Sequence, residues 1–338
     1  MEDLHETTNF SLIVCTYSRA DSVIQLMDSV ATQSLYPNEI LIIDASEDDR
    51  TEGLLSTKNY KSLLYYKVAE KNKGLTKQRN FGIGNANLSS EIICFLDDDI
   101  VLEEDYFKNL MGTYKLKPGA VAVGGRIVEN GVWRETTETY KPGYDEFEKD
   151  GYVRKLGSRN VLRKKLGLLS NKPPGFMPEF SHGFSTGFLP PTGKIYPVEF
   201  FMGGVSSFRR EIFEKVKFSE YFEGYGLYED MDFCLRASKL GELYVNTSAR
   251  VFHLHHESGR PDYFRYGKMV VQNGYYVWKL KYPDVKLKSQ IKWYLITILL
   301  TVIRLKNGLF DGEKIAVNDF QGRIKALLTL RSRNSKIF

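Results

Sequence analysis

The sequence has 338 residues, which is enough for one large domain or for one domain with an appendage. Hydrophobic residues make up 42% of it and charged residues 26%, a composition that excludes a disordered chain. The net charge of +5 is too small to indicate a nucleic-acid-binding protein, and no nucleic-acid partner is predicted.

The N-terminus and the cysteines indicate the compartment. Residues 1–9 are acidic and polar, with no basic region before an apolar run, so no signal peptide is predicted. Cys15, Cys94 and Cys234 are odd in number, far apart and set in apolar segments, as expected for reduced thiols. We therefore expect a cytoplasmic protein.

The first third of the chain is predicted to alternate strands with helices. Continuous apolar runs of the kind found in buried parallel strands occur at residues 10–15, 39–43, 63–68 and 91–96. The helix after the first run is marked by apolar residues at helical spacing, namely Val23, Leu26, Met27 and Val30. This alternation predicts an α/β fold with a largely parallel sheet.

Polar residues follow three of these strands. Residues 16–19 come after the first strand, Asp44 ends the second, and three consecutive aspartates, 97–99, end the fourth. Ligands of open α/β sheets bind at the carboxyl ends of the strands. Adjacent carboxylates at such an end repel one another, which indicates a cation nearby.

Common phosphate-binding motifs are absent from the sequence. There is no G-x-x-x-x-G-K-[ST] segment, and residues 16–19 contain no glycine, which argues against a dinucleotide fingerprint. Carboxylates and a few basic side chains at strand ends suit a nucleoside diphosphate held through a metal ion.

Six segments in order between residues 10 and 255 carry a resemblance to a known family. They are residues 11–19, 42–46, 72–80, 97–99, 203–210 and 229–230. Together they resemble the inverting glycosyltransferase family 2 with the GT-A fold. The resemblance implies an α/β fold with a GT-A-like, Rossmann-type mixed sheet flanked by helices, and a helical C-terminal extension. It implies three regions: residues 1–128 bind the nucleotide-sugar, 129–256 form the acceptor-binding and catalytic half of the same domain, and 257–338 are helical.

The resemblance assigns the aspartate triplet to the sugar donor. Asp99 would be the metal ligand and Asp97 would face the ribose or share the metal, while the role of Asp98 stays open. A bound Mn²⁺ or Mg²⁺ would neutralise the charge that develops on the departing nucleoside diphosphate. The implied donor-binding residues are Thr16, Arg19, Asp44, Lys73, Arg79, Asp97 and Asp98. Lys73 and Arg79 have an alternative reading as solvated helix charges.

A second acidic segment lies at residues 229–230. The resemblance favours Asp230 over Glu229 as the general base that deprotonates the acceptor hydroxyl, although both could instead cap a helix. The implied acceptor-binding residues are Gly203, Gly204 and Arg209.

Three of the five histidines fall within residues 253–256. His253 and His255 alternate onto one strand face, and an H-x-H pair at a strand end can ligate a metal. In the family a histidine near this point joins the metal or diphosphate shell, and His253 fits that role best.

The C-terminal third is predicted to be helical and basic. Residues 293–303 are apolar except for two threonines, but eleven residues are too few to cross a bilayer. Cations flank this run, which leaves open a helix lying in the membrane interface or a buried packing helix. Residues 151–172 contain seven Lys and Arg and no acid, typical of a solvated face or of a patch for anionic lipid headgroups.

The sequence therefore predicts a metal-dependent, inverting hexosyltransferase that moves a sugar from a nucleotide-sugar to a glycan or lipid-linked saccharide, with peripheral contact at the cytoplasmic membrane face. Two other classes stay open. A sugar-phosphate nucleotidyltransferase should carry a glycine-rich, basic segment after the first strand, which residues 16–19 lack. A non-catalytic binding module is disfavoured because Asp99 and Asp230 are both present.

Overall fold

The structure is a computed structural model that describes residues 8–129, 131–222, 224–254, 262–310 and 312–333. The chain divides into two compact units. The first unit comprises Met1–Gly131 and Thr186–Gly259, and the second comprises Val132–Ser185 and Arg260–Phe338.

A mixed sheet forms the centre of the first unit. Its strands are β1 (Phe10–Thr16), β2 (Glu39–Asp44), β3 (Leu63–Lys67), β4 (Ile92–Asp97), β5 (Ile100–Leu102), β6 (Ala120–Ile127), β10 (Ile195–Val198), β11 (Val205–Arg209) and β12 (Glu242–His253). Their order is β10-β12-β6-β11-β4-β1-β2-β3, with β5 paired to β12. β1, β2, β3 and β4 run parallel, and β11 enters antiparallel between β4 and β6. The predicted Rossmann-type mixed sheet is confirmed.

Helices cover this sheet. They are α1 (Ala20–Ala31), α2 (Arg50–Ser56), α3 (Leu75–Asn85), α4 (Tyr106–Leu116), α6 (Ile212–Lys215) and α7 (Glu229–Ala237). The predicted helical spacing in α1 is confirmed, because Val23, Leu26, Met27 and Val30 are all fully buried. They join β1 and β4 in one core, where Phe10 packs on Phe107. Strands buried on both faces explain why these runs are continuously apolar.

The second unit combines a small sheet with helices. It contains β7 (Arg134–Glu135), β8 (Glu146–Lys149), β9 (Tyr152–Lys155), α5 (Ser158–Lys165), α8 (Tyr263–Lys281), α9 (Leu287–Phe310) and α10 (Lys314–Arg333). The strand order is β7-β9-β8. Trp278 of α8 stacks on Trp293 of α9 with ring centroids 5.2 Å apart. The predicted helical C-terminal region is confirmed.

Helix α9 is longer than the apolar run at its centre. At 24 residues it spans about 36 Å. By length and composition alone it could cross a membrane, which corrects the expectation that the segment is too short. Only 22% of its most apolar stretch is buried within the protein.

Candidate active site

The register of the sheet gathers the predicted donor-binding residues at one edge. Thr16 pairs with Asp44, and Cys15 pairs with Asp97, so β1, β2 and β4 end at the same level. β11 runs the other way and begins beside the end of β4, where the Asp97 N–H donates to the Gly204 carbonyl at 3.1 Å. This edge is the one at which open α/β sheets bind ligands.

Asp98 points into the protein and ties the loop after β1 to the aspartate triplet. The Thr16 hydroxyl donates to Asp98 Oδ2 at 2.7 Å, and Arg19 donates to Asp98 Oδ1 at 3.0 Å. Burial raises the pKa of Asp98 to about 6, although these partners favour its ionised form. The structure thus gives Asp98, whose role the sequence left open, a set of protein partners.

Asp99 lies between a cation and an imidazole. Its carboxylate accepts from Arg19 at 3.2 Å and lies 3.1 Å from His253 Nε2. Burial works against ionisation of Asp99, but His253 and Arg19 hold its pKa below the ordinary value. The hydrogen bond with Asp99 in turn raises the pKa of His253. β12 therefore brings His253 to the aspartate triplet, from more than 150 residues further along the chain.

Three consecutive side chains of α3 connect the parts of this edge. Gln78 donates to the carbonyls of Thr16 (3.0 Å) and Ile43 (2.8 Å), which holds the ends of β1 and β2 together. Asn80 exchanges two hydrogen bonds with the backbone of Phe218. Arg79, between them, reaches the acidic residues of the site.

Arg79 is a buried cation with two carboxylate partners. Its guanidinium lies 2.7 Å from Glu229 and 3.5 Å from Asp97, and only 3% of its side chain is exposed. The rings of Phe95 and Phe218 face the guanidinium at 5.6 and 5.2 Å. Burial raises the pKa of Glu229, and the ion pair with Arg79 opposes that shift. This burial does not fit the alternative reading of Arg79 as a solvated helix charge.

Asp230 stands next to this pair at the start of α7. Its carboxylate accepts from the Gly203 N–H at 3.3 Å and from its neighbour Met231 N–H at 2.7 Å. The residue is partly exposed, as a group that meets a substrate must be. Burial of the carboxylate raises its pKa more than these two donors lower it.

Gly203 and Gly204 lie in close contact with acidic side chains, Gly203 with Glu229 and Gly204 with Asp97. A Cβ on Gly203 would lie 2.8 Å from Arg79 Nη1 and 2.9 Å from Glu229 Oε1. A Cβ on Gly204 would overlap the Asp97 carboxylate. Only glycine allows the backbone to pass this close. The two glycines therefore lie against acidic side chains, and their contact with an acceptor stays a prediction.

Asp44 and Lys73 differ in their access to a ligand. Asp44 is fully buried, and its carboxylate accepts from Ser46 and from the Tyr65 hydroxyl, the latter at 3.0 Å. Lys73 is 31% exposed and lies 3.5 Å from Glu47. Contact of either residue with a donor stays a prediction.

Two predicted site residues fall outside this cluster. Arg209 pairs in register with Ile92 at the start of β4, the opposite end of the strand from Asp97. It donates to the carbonyls of Ala120 and Pro118 instead, so the structure does not bring it to the site. His255 lies outside the described residues.

This edge of the sheet offers few protein ligands to a divalent cation. Within the described ranges, no group of three or more His, Cys, Asp or Glu side chains forms a ready metal cage. Asp99 and His253, 3.1 Å apart, supply two groups, and the 45% exposed side chain of Asp97 lies two residues before Asp99 in the chain. Mg²⁺ and Mn²⁺ accept one or two carboxylates and take their other oxygens from phosphates and water. The residues therefore fit a cation that binds together with a diphosphate.

Sequence reasoning missed the supporting residues of the site. In the sequence, Gln78 and Asn80 stand only as parts of a motif and Tyr65 only as part of a strand, with no indication of a role in the site. Their partners come from other parts of the chain, so local sequence carries no signal for them. Asp44 followed by Ser46 is the exception, because an aspartate commonly accepts from the backbone two residues on.

Comparison with known proteins agrees with this geometry. The model of glycosyl transferase family 2 matches residues 11–216, which is more than half of the chain. The chain belongs to glycosyl transferase family 2. A model described as the N-terminal domain of galactosyltransferase matches residues 185–257. The family recognised from the sequence is confirmed.

Individual relatives are more distant. A glucosyl-dolichyl phosphate glucuronosyltransferase of Haloferax volcanii is 30% identical over 128 residues, which cover 37% of this chain and 40% of that relative. The family-2 chain therefore spans about two fifths of the length of this curated relative.

Solved structures show the same fold at low identity. The mannosyltransferase PcManGT from Pyrobaculum calidifontis, in complex with GDP-Man and Mn²⁺, superposes with a TM-score of 0.52 at 15% identity and covers 94% of this chain and 87% of its own. GalNAc-T7 with UDP, GalNAc and Mn²⁺ gives a TM-score of 0.51 at 14% identity, covering 81% and 50%. The GT-A fold is confirmed.

Proposed function

We propose that this glycosyltransferase is metal-dependent and inverting, and that it transfers a hexose from a nucleotide-sugar to a glycan or lipid-linked saccharide. One observation carries the proposal. Asp97 and Glu229, the latter adjacent to Asp230, share the Arg79 guanidinium, so a donor-side carboxylate and the acidic pair of α7 belong to one cluster.

The donor side comprises Asp97, Asp99 and His253. Asp99 and His253 would hold Mn²⁺ or Mg²⁺, and Asp97, whose side chain is 45% exposed, would face the ribose or share the cation. When bound, the cation would act as a Lewis acid that neutralises charge on the leaving diphosphate. Arg19 donates to both Asp98 and Asp99 and would keep the triplet in place.

Asp230 would act as the general base. Its carboxylate would accept the proton of the acceptor hydroxyl while that oxygen forms a bond to the anomeric carbon from the face opposite the leaving group. The bond from that carbon to the diphosphate oxygen breaks, and its electron pair stays on the departing diphosphate. One carboxylate suffices for this single displacement, which inverts the configuration. Glu229 is committed to Arg79, which supports Asp230 rather than Glu229 in this role.

The acceptor class rests on the curated relative. That protein acts on a dolichyl phosphate-linked sugar by its name, which supports a lipid-linked saccharide as one acceptor class here. The proposal includes a soluble glycan as a second acceptor class.

The test separates donor binding from transfer. A panel of nucleotide-sugars with Mn²⁺ or Mg²⁺ is screened for thermal stabilisation, and the best donor is then assayed for nucleoside diphosphate release with Asp230→Asn. We expect the variant to keep the thermal shift and to lose turnover by at least about a hundredfold. Wild-type-like turnover would contradict the base assignment, and binding without any release by the wild type would favour a non-catalytic module.

A further inference from the structure

Helix α9 exposes a narrow stripe of large apolar side chains. We call it the α9 stripe; it consists of Leu287, Ile291, Leu295, Ile298, Val302 and Leu309, which are 48–70% exposed. At 100° per residue, these positions fall within an arc of about 80°. The opposite face of the helix, around Trp293 and Ile296, is buried. Contiguous apolar surface of this kind indicates an interaction site.

The charges beside the α9 stripe are all positive. Lys288, Lys292 and Lys306 lie along one side of it by helical position, and residues 287–310 contain no Asp or Glu. The surrounding segment 262–333 has fourteen Lys and Arg against five Asp and Glu, while the whole chain carries only +5. The surface that complements this stripe is therefore apolar and anionic.

The packing of α9 favours a helix lying along a surface over one crossing a bilayer. Its buried face is fixed to two helices that carry charged groups. Trp293 stacks on Trp278 of α8, and Arg304 pairs with Asp319 of α10 at 2.7 Å. A crossing helix would carry these neighbours into hydrocarbon, at a cost of several kcal/mol for each charged group. An in-plane helix leaves them outside.

A second copy of the chain fits the α9 stripe less well. Two such helices packed antiparallel on their stripes would bring their lysine-bearing sides, with Lys292 and Lys306, next to each other. No carboxylate of α9 is available to pair with them. Like charges at such flanking positions oppose association.

We propose that the α9 stripe docks the protein on an anionic lipid surface, with α9 in the plane of the interface. The apolar side chains enter the boundary between headgroups and acyl chains, and Lys288 and Lys306 meet lipid phosphates. Lys292 donates to the Gly167 carbonyl at 3.1 Å and adds positive charge nearby. The inference does not depend on the enzymatic proposal, because lipid binding is measured without turnover.

The experiment is co-sedimentation of the full chain with vesicles of phosphatidylcholine alone or mixed in equal parts with phosphatidylglycerol. We expect binding to the mixed vesicles only. The double variant Ile298→Glu/Val302→Glu should bind at least about tenfold more weakly. The matched control is Leu88→Glu in the first unit, an 86% exposed leucine, which should bind like wild type.

The cations are tested separately. Lys288→Gln and Lys306→Gln should each weaken binding to the mixed vesicles about fivefold and make it less sensitive to salt.

Insertion of the apolar side chains is tested with a dye. Val302→Cys labelled with an environment-sensitive dye should show a blue shift of its fluorescence on vesicle binding, whereas labelled Leu88→Cys should not. Both readouts are made on variants whose circular dichroism and Tm match the wild type.

Three outcomes would overturn the proposal. The first is a wild type that binds neither vesicle, and the second is equal loss of binding in Leu88→Glu. The third is a wild type that is dimeric by light scattering, becomes monomeric with Ile298→Glu/Val302→Glu and ignores lipid. That last result would assign the α9 stripe to a second copy of the chain.

Discussion

The guanidinium of Arg79 lies 2.7 Å from the carboxylate of Glu229, and both side chains are almost fully buried. The same guanidinium is 3.5 Å from Asp97, at the end of a strand from another part of the sequence. A buried cation held this way has little freedom to bind a substrate. Contact of Arg79 with the donor stays a prediction, and its ion pairs also suit a residue that would position the neighbouring carboxylates.

Breaking this pair should be costly. Glu229→Gln leaves the Arg79 charge buried with only its longer contact to Asp97, and we expect a loss of about 3–5 kcal/mol of unfolding free energy. The matched control is Arg50→Gln, which breaks an exposed pair with Asp21 and should cost under about 1 kcal/mol. Urea unfolding of both variants provides the comparison. Equal small losses would show that the buried pair does not organise the site.

Gly204→Ala should displace Asp97, since the added Cβ would overlap its carboxylate. We expect affinity for a nucleoside diphosphate with Mn²⁺ to fall at least about tenfold, measured by calorimetry. Gly53→Ala is the control, because nothing lies within 4 Å of its added Cβ and the residue sits inside a helix. That variant should bind normally and gain up to about 1 kcal/mol of stability. Unchanged affinity in Gly204→Ala would remove Asp97 from the donor site.

The strand ends were predictable, whereas the way they are joined was not. Continuous apolar runs identify β1, β2 and β4, and polar residues after them mark the ligand edge. Arg79 and Glu229 are 150 positions apart, and local pattern does not show such a pair. The sequence grouped Gly204 with Arg209, but the antiparallel register of β11 sends them to opposite ends of one strand. The direction of a strand is a tertiary property, so closeness in the motif does not place Arg209 beside Gly204.

His253→Ala should weaken metal binding. His253 lies 3.1 Å from Asp99, where it can join Asp99 around a cation or orient its carboxylate. Loss of a group that supports a metal ligand typically lowers affinity about 10–100-fold. Titration of Mn²⁺ into the protein with a nucleoside diphosphate, followed by calorimetry, measures this. Asp99→Asn serves as the positive control for loss of the site. A titration curve unchanged from wild type would exclude His253 from the metal environment.

The pH dependence of transfer should report on Asp230. Burial raises the pKa of this carboxylate above its ordinary value. A general base must be ionised, so lowering the pH protonates it, and a raised pKa moves that loss of activity to higher pH. The acid limb of kcat/KM should therefore lie above about pH 3.9, the value for an unperturbed aspartate. Nucleoside diphosphate binding measured over the same range separates this effect from loss of the donor.

The control variant for this assignment is Asp230→Glu, which should shift the acid limb of kcat/KM while leaving donor binding intact. The acid limb of kcat/KM would be assigned to another group if its pH were unchanged in Asp230→Glu. The same would follow if, in the wild type, kcat/KM and donor affinity fell together over the same pH range.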